Sequence, residues 1–225
     1  MHSLTLLLLL PVFGAILISV LPGQSPWIRR VAIAATVLTM FYAASLILAF
    51  DIHSSDLQFS KIVPWNTRMG TTFALGIDGI SFPMVLLATL LSFIAVIASR
   101  SIFARIKGYY LLMLLLEAAM LGVFMAQDWS LFYVFWELTL VPIYFLINYW
   151  GIGPNRRYAA VKYTLVMMAG GIFILIGFLH HRTGSTELAN LGGVAKTMPL
   201  LASFSLSSDW RVWGCLAPMA LLRKT

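Results

Sequence analysis

The chain has 225 residues, of which 60% are hydrophobic and 10% charged, with a mean hydropathy of +0.91. A soluble globular domain carries about a quarter charged residues, so this composition excludes that class and indicates a multi-pass helical membrane protein. A formal net charge of +7 would suggest nucleic acid in a soluble chain, but here the basic residues lie in short links between apolar runs, where they set topology, and no nucleic-acid partner is read from them.

Six apolar runs follow in order, 4–21, 31–50, 79–99, 109–127, 129–150 and 159–180, each close to the roughly 20 residues that a spanning helix needs. The first resembles a secretory signal, but only Met1, His2 and Ser3 precede it. A cleaved signal carries positive charge ahead of its apolar core, so the run is read as a spanning helix. Runs two and three are separated by the longest link, 51–78, a polar loop with Pro64 and Trp65. The other links are short, which forces consecutive helices antiparallel and predicts an all-α, multi-pass bundle over residues 1–182. The remaining 183–225 changes character: Gly192, Gly193, Lys196 and Pro199 interrupt a moderately apolar stretch, and Ser207 to Arg211 break it. It is expected to be a divergent tail rather than a seventh helix.

Basic residues set the orientation. Arg29, Arg30, Arg100, Arg105, Lys107, Arg156 and Arg157 follow runs one, three and five, whereas Lys61 and Arg68 share the long loop with Asp51 and Asp56. The positive-inside rule then places the odd-numbered links on the cytoplasmic or stromal side and the N-terminus opposite.

Within the fifth run Glu137 is the lone charge between Ser130 and Trp150. An acid in mid-membrane costs a few kcal/mol and by default marks an ion or proton path. The competing reading is a neutral acid bonded between helices. Pro142 deprives the Leu138 carbonyl of its helical partner beside that acid, so a bend or opening is expected there. Glu117 lies about 12 Å from one end of the fourth run and Glu137 about 20 Å from the matching end of the fifth, both inside the hydrocarbon. Lys162 lies about 5 Å into the sixth run. It either snorkels to the surface or continues a series of charges with the two acids.

Other polar positions have simpler readings. Asp78 fits a helix N-cap. His180 and His181 are neighbours that do not share a helix face, which speaks against metal ligation. Gly170 and Gly171 permit close helix approach. Trp129 and Trp150 fit interfacial belts and Trp136 packing. The lone Cys215 excludes an internal disulfide or a multi-cysteine metal site, and no glycine-rich nucleotide loop opens a helix.

Several segments carry a family likeness. Leu75-Gly76-Ile77-Asp78-Gly79-Ile80-Ser81, Phe135-Trp136-Glu137-Leu138, Leu140-Val141-Pro142-Ile143-Tyr144-Phe145-Leu146-Ile147, Trp150-Gly151 and Arg157-Tyr158-Ala159-Ala160-Val161-Lys162-Tyr163 resemble the chain 4 (subunit M) family of proton-translocating NADH:quinone oxidoreductases, respiratory or plastoquinone-linked. The likeness covers about residues 1–182. It implies an antiporter-like membrane-arm subunit, the first part of an inverted-repeat fold, in a plasma or thylakoid membrane. No redox centre of its own is implied; NAD(P)H, flavin, iron–sulfur clusters and quinone are expected in partner subunits, and the other membrane-arm subunits and the lipid bilayer are the expected partners. Residue by residue, Glu137 matches the family's mid-membrane acid, Glu117 an acid on the fourth helix of some members, and Lys162 the basic position early in helix six. A lysine on a broken seventh helix, the family partner of Glu137, has no match. Lys196-Thr197-Met198-Pro199 is a superficial echo, and a truncated product departing near Phe204 is expected. The alternatives are a membrane subunit of a cation/proton antiporter or membrane-bound hydrogenase, or a nonfunctional fragment.

Overall fold

Six helices and one β-hairpin form the described chain. The computed structural model describes residues 4–23, 25–51, 56–66 and 71–183, with the backbone alone at 65, 66, 71 and 174–183. The tail expectations, with Lys196, Phe204 and Cys215, and the side chains of His180 and His181 lie outside the described residues.

The helices are α1 (Leu4–Val20), α2 (Trp27–Ile47), α3 (Ser81–Ala98), α4 (Ile106–Met125), α5 (Trp129–Trp150) and α6 (Arg156–Thr183). Each begins or ends within a few residues of the apolar run that predicts it, because length and apolarity over about 20 residues are what a bilayer-spanning helix demands. Among the described residues, α2, α4, α5 and α3 with its terminal 3-10 turn are long and apolar enough to cross a membrane, and α1 is a shorter apolar helix of 17 residues. Side chains such as Phe13, Leu17, Phe41, Leu91 and Phe173 are exposed on the outer surface. In water such a band would be an aggregation liability; around a membrane bundle it is the lipid contact.

The long polar loop has more structure than its composition suggests. Strands β1 (Gln58–Asn66) and β2 (Thr71–Ile77) pair antiparallel, with Ile62 opposite Ala74 and Val63 opposite Phe73. Pro64 and scattered polar residues concealed the strand pattern, but Pro64 falls near a register shift, where a missing N–H is tolerated. The hairpin docks on the bundle through β2: the Gln127 N–H donates to Ala74 O at 2.9 Å and its side-chain amide to Gly76 O at 3.1 Å.

Asp128 makes the second tie. It is the N-cap of α5, accepting from the Ser130 N–H at 2.8 Å, and its other oxygen accepts from the Thr72 N–H at 3.0 Å and the Thr72 hydroxyl at 3.1 Å. Partial burial alone would raise its pKa, but these bonds outweigh it and leave the pKa below the ordinary 3.8. The Ser81 backbone N–H, with help from the Ser81 hydroxyl, likewise holds Asp78 low; that carboxylate lies two residues ahead of the N-cap position, Ile80, and accepts from the Ile80 and Ser81 N–H groups at the start of α3. A carboxylate with a depressed folded pKa stabilises the fold above its unfolded pKa, and that contribution disappears as pH falls through the folded value. Stability of the hairpin end is therefore expected to be flat above pH ~5 and to drop below pH ~4. Asp128→Ala is expected to remove about 1–2 kcal/mol and to flatten part of that acid limb, read as faster hydrogen exchange of the Thr72 amide.

Two apolar clusters hold α1 to α4 together. One lies at the hairpin end, with Leu4, Leu7, Leu46, Leu75, Ile77, Val85, Leu121 and Met125; the other lies at the opposite, arginine end, with Ile18, Ile28, Ala32, Val96, Tyr110 and Leu114. Between them in chain order on each helix sit the buried polar residues Thr36, Thr39, Thr89, Ser92 and Glu117. The threonine hydroxyls donate back to carbonyls of their own helices, Thr39 to Ala35 O at 2.9 Å and Thr89 to Leu86 O at 2.9 Å, the usual way to satisfy a hydroxyl inside a membrane helix. At the arginine end, Arg29 donates to Tyr110 Oη at 3.1 Å and to Arg100 O at 2.9 Å, and the Trp150 indole donates to Ala104 O at 2.8 Å. These bonds tie α2, α3, α4 and α5 together where the basic links gather.

Candidate proton site on helix five

Close packing through glycine brings α5 between α4 and α6. A Cβ at Gly122 of α4 would fall into the ring of Phe135 on α5, so only a glycine lets that ring lie against the helix backbone. On the other side, Gly171 of α6 faces α5: a Cβ there would lie 2.6 Å from Glu137 Oε1, 3.6 Å from Trp136 Nε1 and 3.6 Å from Tyr133 Cε2. Of the glycine pair expected to allow close approach, Gly171 makes the contact, whereas Gly170 is exposed with nothing near its Cβ position.

Glu137 thus points into the α5–α6 contact, half-buried. One turn earlier on the same face, the Tyr133 hydroxyl donates to its carboxylate. Nothing in the sequence marks Tyr133 as polar machinery except its spacing of four residues before the acid. Trp136 stacks on Phe132 with ring centroids 6.0 Å apart, as expected of a packing residue. Its Nε1, however, is buried and has no acceptor among the described residues. The helix runs unbroken from Trp129 to Trp150 with Pro142 inside it, so the expected opening beside the acid is not a break in the helix.

Glu117 is placed differently. It is 0% exposed, and neither carboxyl oxygen has a partner among the described residues. It shares the stripe Tyr110, Leu114, Glu117, Leu121 and Met125, the face of α4 buried against α1, α2 and α3. Measured from the Phe135–Gly122 contact, Glu117 and Glu137 differ in height by about 5 Å. At 100° per residue Glu117 lies about 140° around α4 from the glycine that meets α5. The two acids share a level of the bundle but do not face each other.

Lys162 also stands apart. It is exposed, with its ammonium 6.0 Å from the Tyr158 ring centroid. Nine residues separate it from Gly171, which is about 13 Å along α6 and half a rotation about its axis. It therefore projects from the face of α6 opposite the one that touches Glu137. Of the three predicted residues, the structure brings none into direct contact with another.

The unpartnered burial of Glu117 has a stability consequence. A buried polar group without a partner costs about 1–3 kcal/mol, and an apolar residue of similar volume removes that cost. Glu117→Leu is accordingly expected to raise the thermal unfolding midpoint of the detergent-solubilised chain.

Residues 126–222 match the family model described as NADH:quinone oxidoreductase/Mrp antiporter, transmembrane. The chain is 40% identical over 202 residues to NAD(P)H-quinone oxidoreductase chain 4 1 of Synechococcus sp. (strain JA-3-3Ab), covering 88% of this chain and 38% of that protein. Among solved structures it superposes on respiratory complex I from Thermus thermophilus with bound NADH at a TM-score of 0.67 and 27% identity, covering 84% of this chain and 38% of that one. The Mrp complex from Dietzia sp. DQ12-45-1b gives a TM-score of 0.66 and 26% identity, over 88% of this chain and 22% of that one. The chain spans somewhat over a third of the length of the curated relatives it matches. In sequence and in fold, this integral membrane protein is related to the chain 4 subunits of the NAD(P)H-quinone oxidoreductases and shares their antiporter-like transmembrane architecture.

Proposed function

We propose that this chain supplies part of a proton-translocating membrane-arm subunit of an NAD(P)H:quinone oxidoreductase. The observation that carries the reading is Glu137, the single charge of α5, held by the Tyr133 hydroxyl and packed on Gly171 at mid-helix. An acid so placed gains a proton from one side and yields it to the other when a neighbouring charge moves. Glu117, at nearly the same level but on a separate face, is the second protonatable group. Lys162 is a cation nearer the arginine end, acting through its field rather than by contact.

In this reading NAD(P)H, flavin, iron–sulfur clusters and quinone are held by partner subunits, with which the exposed faces of α5 and α6 and the rest of the membrane arm assemble. The arginine end is cytoplasmic or stromal and the N-terminus opposite, in a plasma or thylakoid membrane. The sequence relatives that are NAD(P)H-quinone oxidoreductase chains 4, at 33–40% identity, favour this over cation/proton antiport, whereas the complex I and Mrp structures, at 27% and 26% identity, do not separate the two. A membrane-bound hydrogenase subunit would share the same acid and lysine.

The test is a chimera in which residues 4–183 replace the matching part of a cyanobacterial chain 4 whose own gene is deleted. Quinone-reduction-coupled acidification in membrane vesicles supports the proposal. Assembly with wild-type electron transfer and no acidification overturns it. The 225-residue chain alone, without the remainder of its longer relatives, is expected to restore no pumping in the same deletion strain.

A further inference from the structure

Trp136 was read from the sequence as packing, and its ring does pack on Phe132. Its indole N–H has no such explanation. It is buried, lacks an acceptor among the described residues, and a donor left so pays its full desolvation. The Glu137 carboxyl beside it is able to accept. Oε1 and Nε1 lie 2.6 Å and 3.6 Å from the same point above Gly171, so the two atoms are within about 6 Å of each other, and the glycine puts no side chain between them. Tyr133 occupies one acceptor position on Glu137. An ionised carboxylate has about four such positions and no proton of its own, whereas the protonated acid accepts less and donates instead. A rotation of the Glu137 side chain therefore has a second donor waiting for it in one protonation state and not in the other.

We propose that Trp136 is a positioning residue for Glu137, its indole N–H donating to the carboxylate when the acid is ionised and released when the acid carries its proton. The inference rests on the reading of Glu137 as an acid that titrates. The geometry gives it a cause: with Gly171 letting α6 approach closely, the indole N–H is covered, so its acceptor must come from the protein. The remaining titratable groups around the site are few. On α5 itself they are Tyr133, bonded to the acid, Tyr144, two turns further on the same face, Tyr149 near the far end, and Asp128, nine residues away at the N-cap. From α4 there is Glu117, on the face turned toward α1 to α3; β2 offers none; from α6, Lys162 lies on the opposite face and about 13 Å along the axis.

The experiment uses the full chain in lipid nanodiscs, with nitrogen-15 in the indole of its seven tryptophans. Trp136→Phe identifies the Trp136 resonance by its loss. If that variant does not fold, the resonance is identified by its loss in Trp136→Tyr instead. The Glu137 carboxyl infrared band, assigned by its loss in Glu137→Gln, is followed over the same pH range. The expected result is a downfield movement of the Trp136 N–H proton in step with loss of that band, unchanged in Glu117→Gln and abolished in Glu137→Gln. A Trp136 resonance that stays fixed while the Glu137 band titrates overturns the inference alone. A Glu137 band constant at every pH overturns both the inference and the parent reading. Movement in step with the band, in a chain whose chimera does not pump, supports the inference and sinks the pumping role.

Discussion

Glu137→Gln in the chimeric chain 4 is expected to abolish quinone-coupled proton pumping while the complex still assembles. The amide is close in size to the carboxyl and still accepts from the Tyr133 hydroxyl, so the α5–α6 contact at Gly171 survives. What is lost is the ability to gain and release a proton at mid-helix, and no other acid on α5 replaces it. Assembly is read from the intact complex on native gels and pumping from quenching of a pH-sensitive dye in inverted vesicles. Pumping at the wild-type rate would remove the role assigned to this acid. Tyr133→Phe is the milder companion. It deletes one hydrogen bond to the carboxylate, worth about 1.5–3 kcal/mol for a charged acceptor, and is expected to slow pumping without abolishing it.

The largest structural effect is expected from Gly122→Val. Any side chain at 122 must occupy the space of the Phe135 ring, so α4 and α5 have to separate or the ring has to leave its rotamer. Overpacking of this kind costs about 1–3 kcal/mol when the core can adjust and more when backbone stands in the way. In a membrane there is little hydrophobic driving force to hold the helices together against such a clash, since association rests on close packing. The variant is expected to lower the unfolding midpoint in mild detergent and to expose the turn between α4 and α5 to protease. Phe135→Ala alone creates a cavity and destabilises. Combined with Gly122→Val it should recover part of the loss, so that the double variant is more stable than the two separate effects added together predict. Simple additivity would show that the two residues do not meet as described.

How much of the molecule could be read in advance depends on which forces act. Runs of apolar residues about 20 long place the helices because the bilayer imposes one length and one polarity on all of them; α5 was located at Trp129–Trp150 to the residue, bounded by Asp128 and Gly151. The hairpin was missed since its alternation is weak and Pro64 argued against a strand. It is tied to the bundle by Gln127 and Asp128, in the link before α5, and by its own Leu75 and Ile77 in the hairpin-end cluster, contacts that only the packed bundle provides. The candidate site divides in the same way. Glu137 stood out as a lone charge in an oily helix, but Tyr133 and the indole of Trp136 looked like ordinary aromatics. Only the position of Gly171 opposite them shows that the Glu137 carboxyl, the Trp136 indole nitrogen and the Tyr133 ring converge on one spot.

By itself the sequence determined that this is a membrane bundle, where its helices run, and which acid lies deepest in the fifth, because hydropathy and the cost of burying charge are local properties of the chain. The tertiary structure decided which face each charge occupies. Glu117 turns toward α1 to α3, Glu137 toward α6, and Lys162 away from both. The physical reason is that the rotation of a helix about its axis is set by where its small residues admit a neighbour, and Gly122 and Gly171 act only once α4 and α6 are packed against α5.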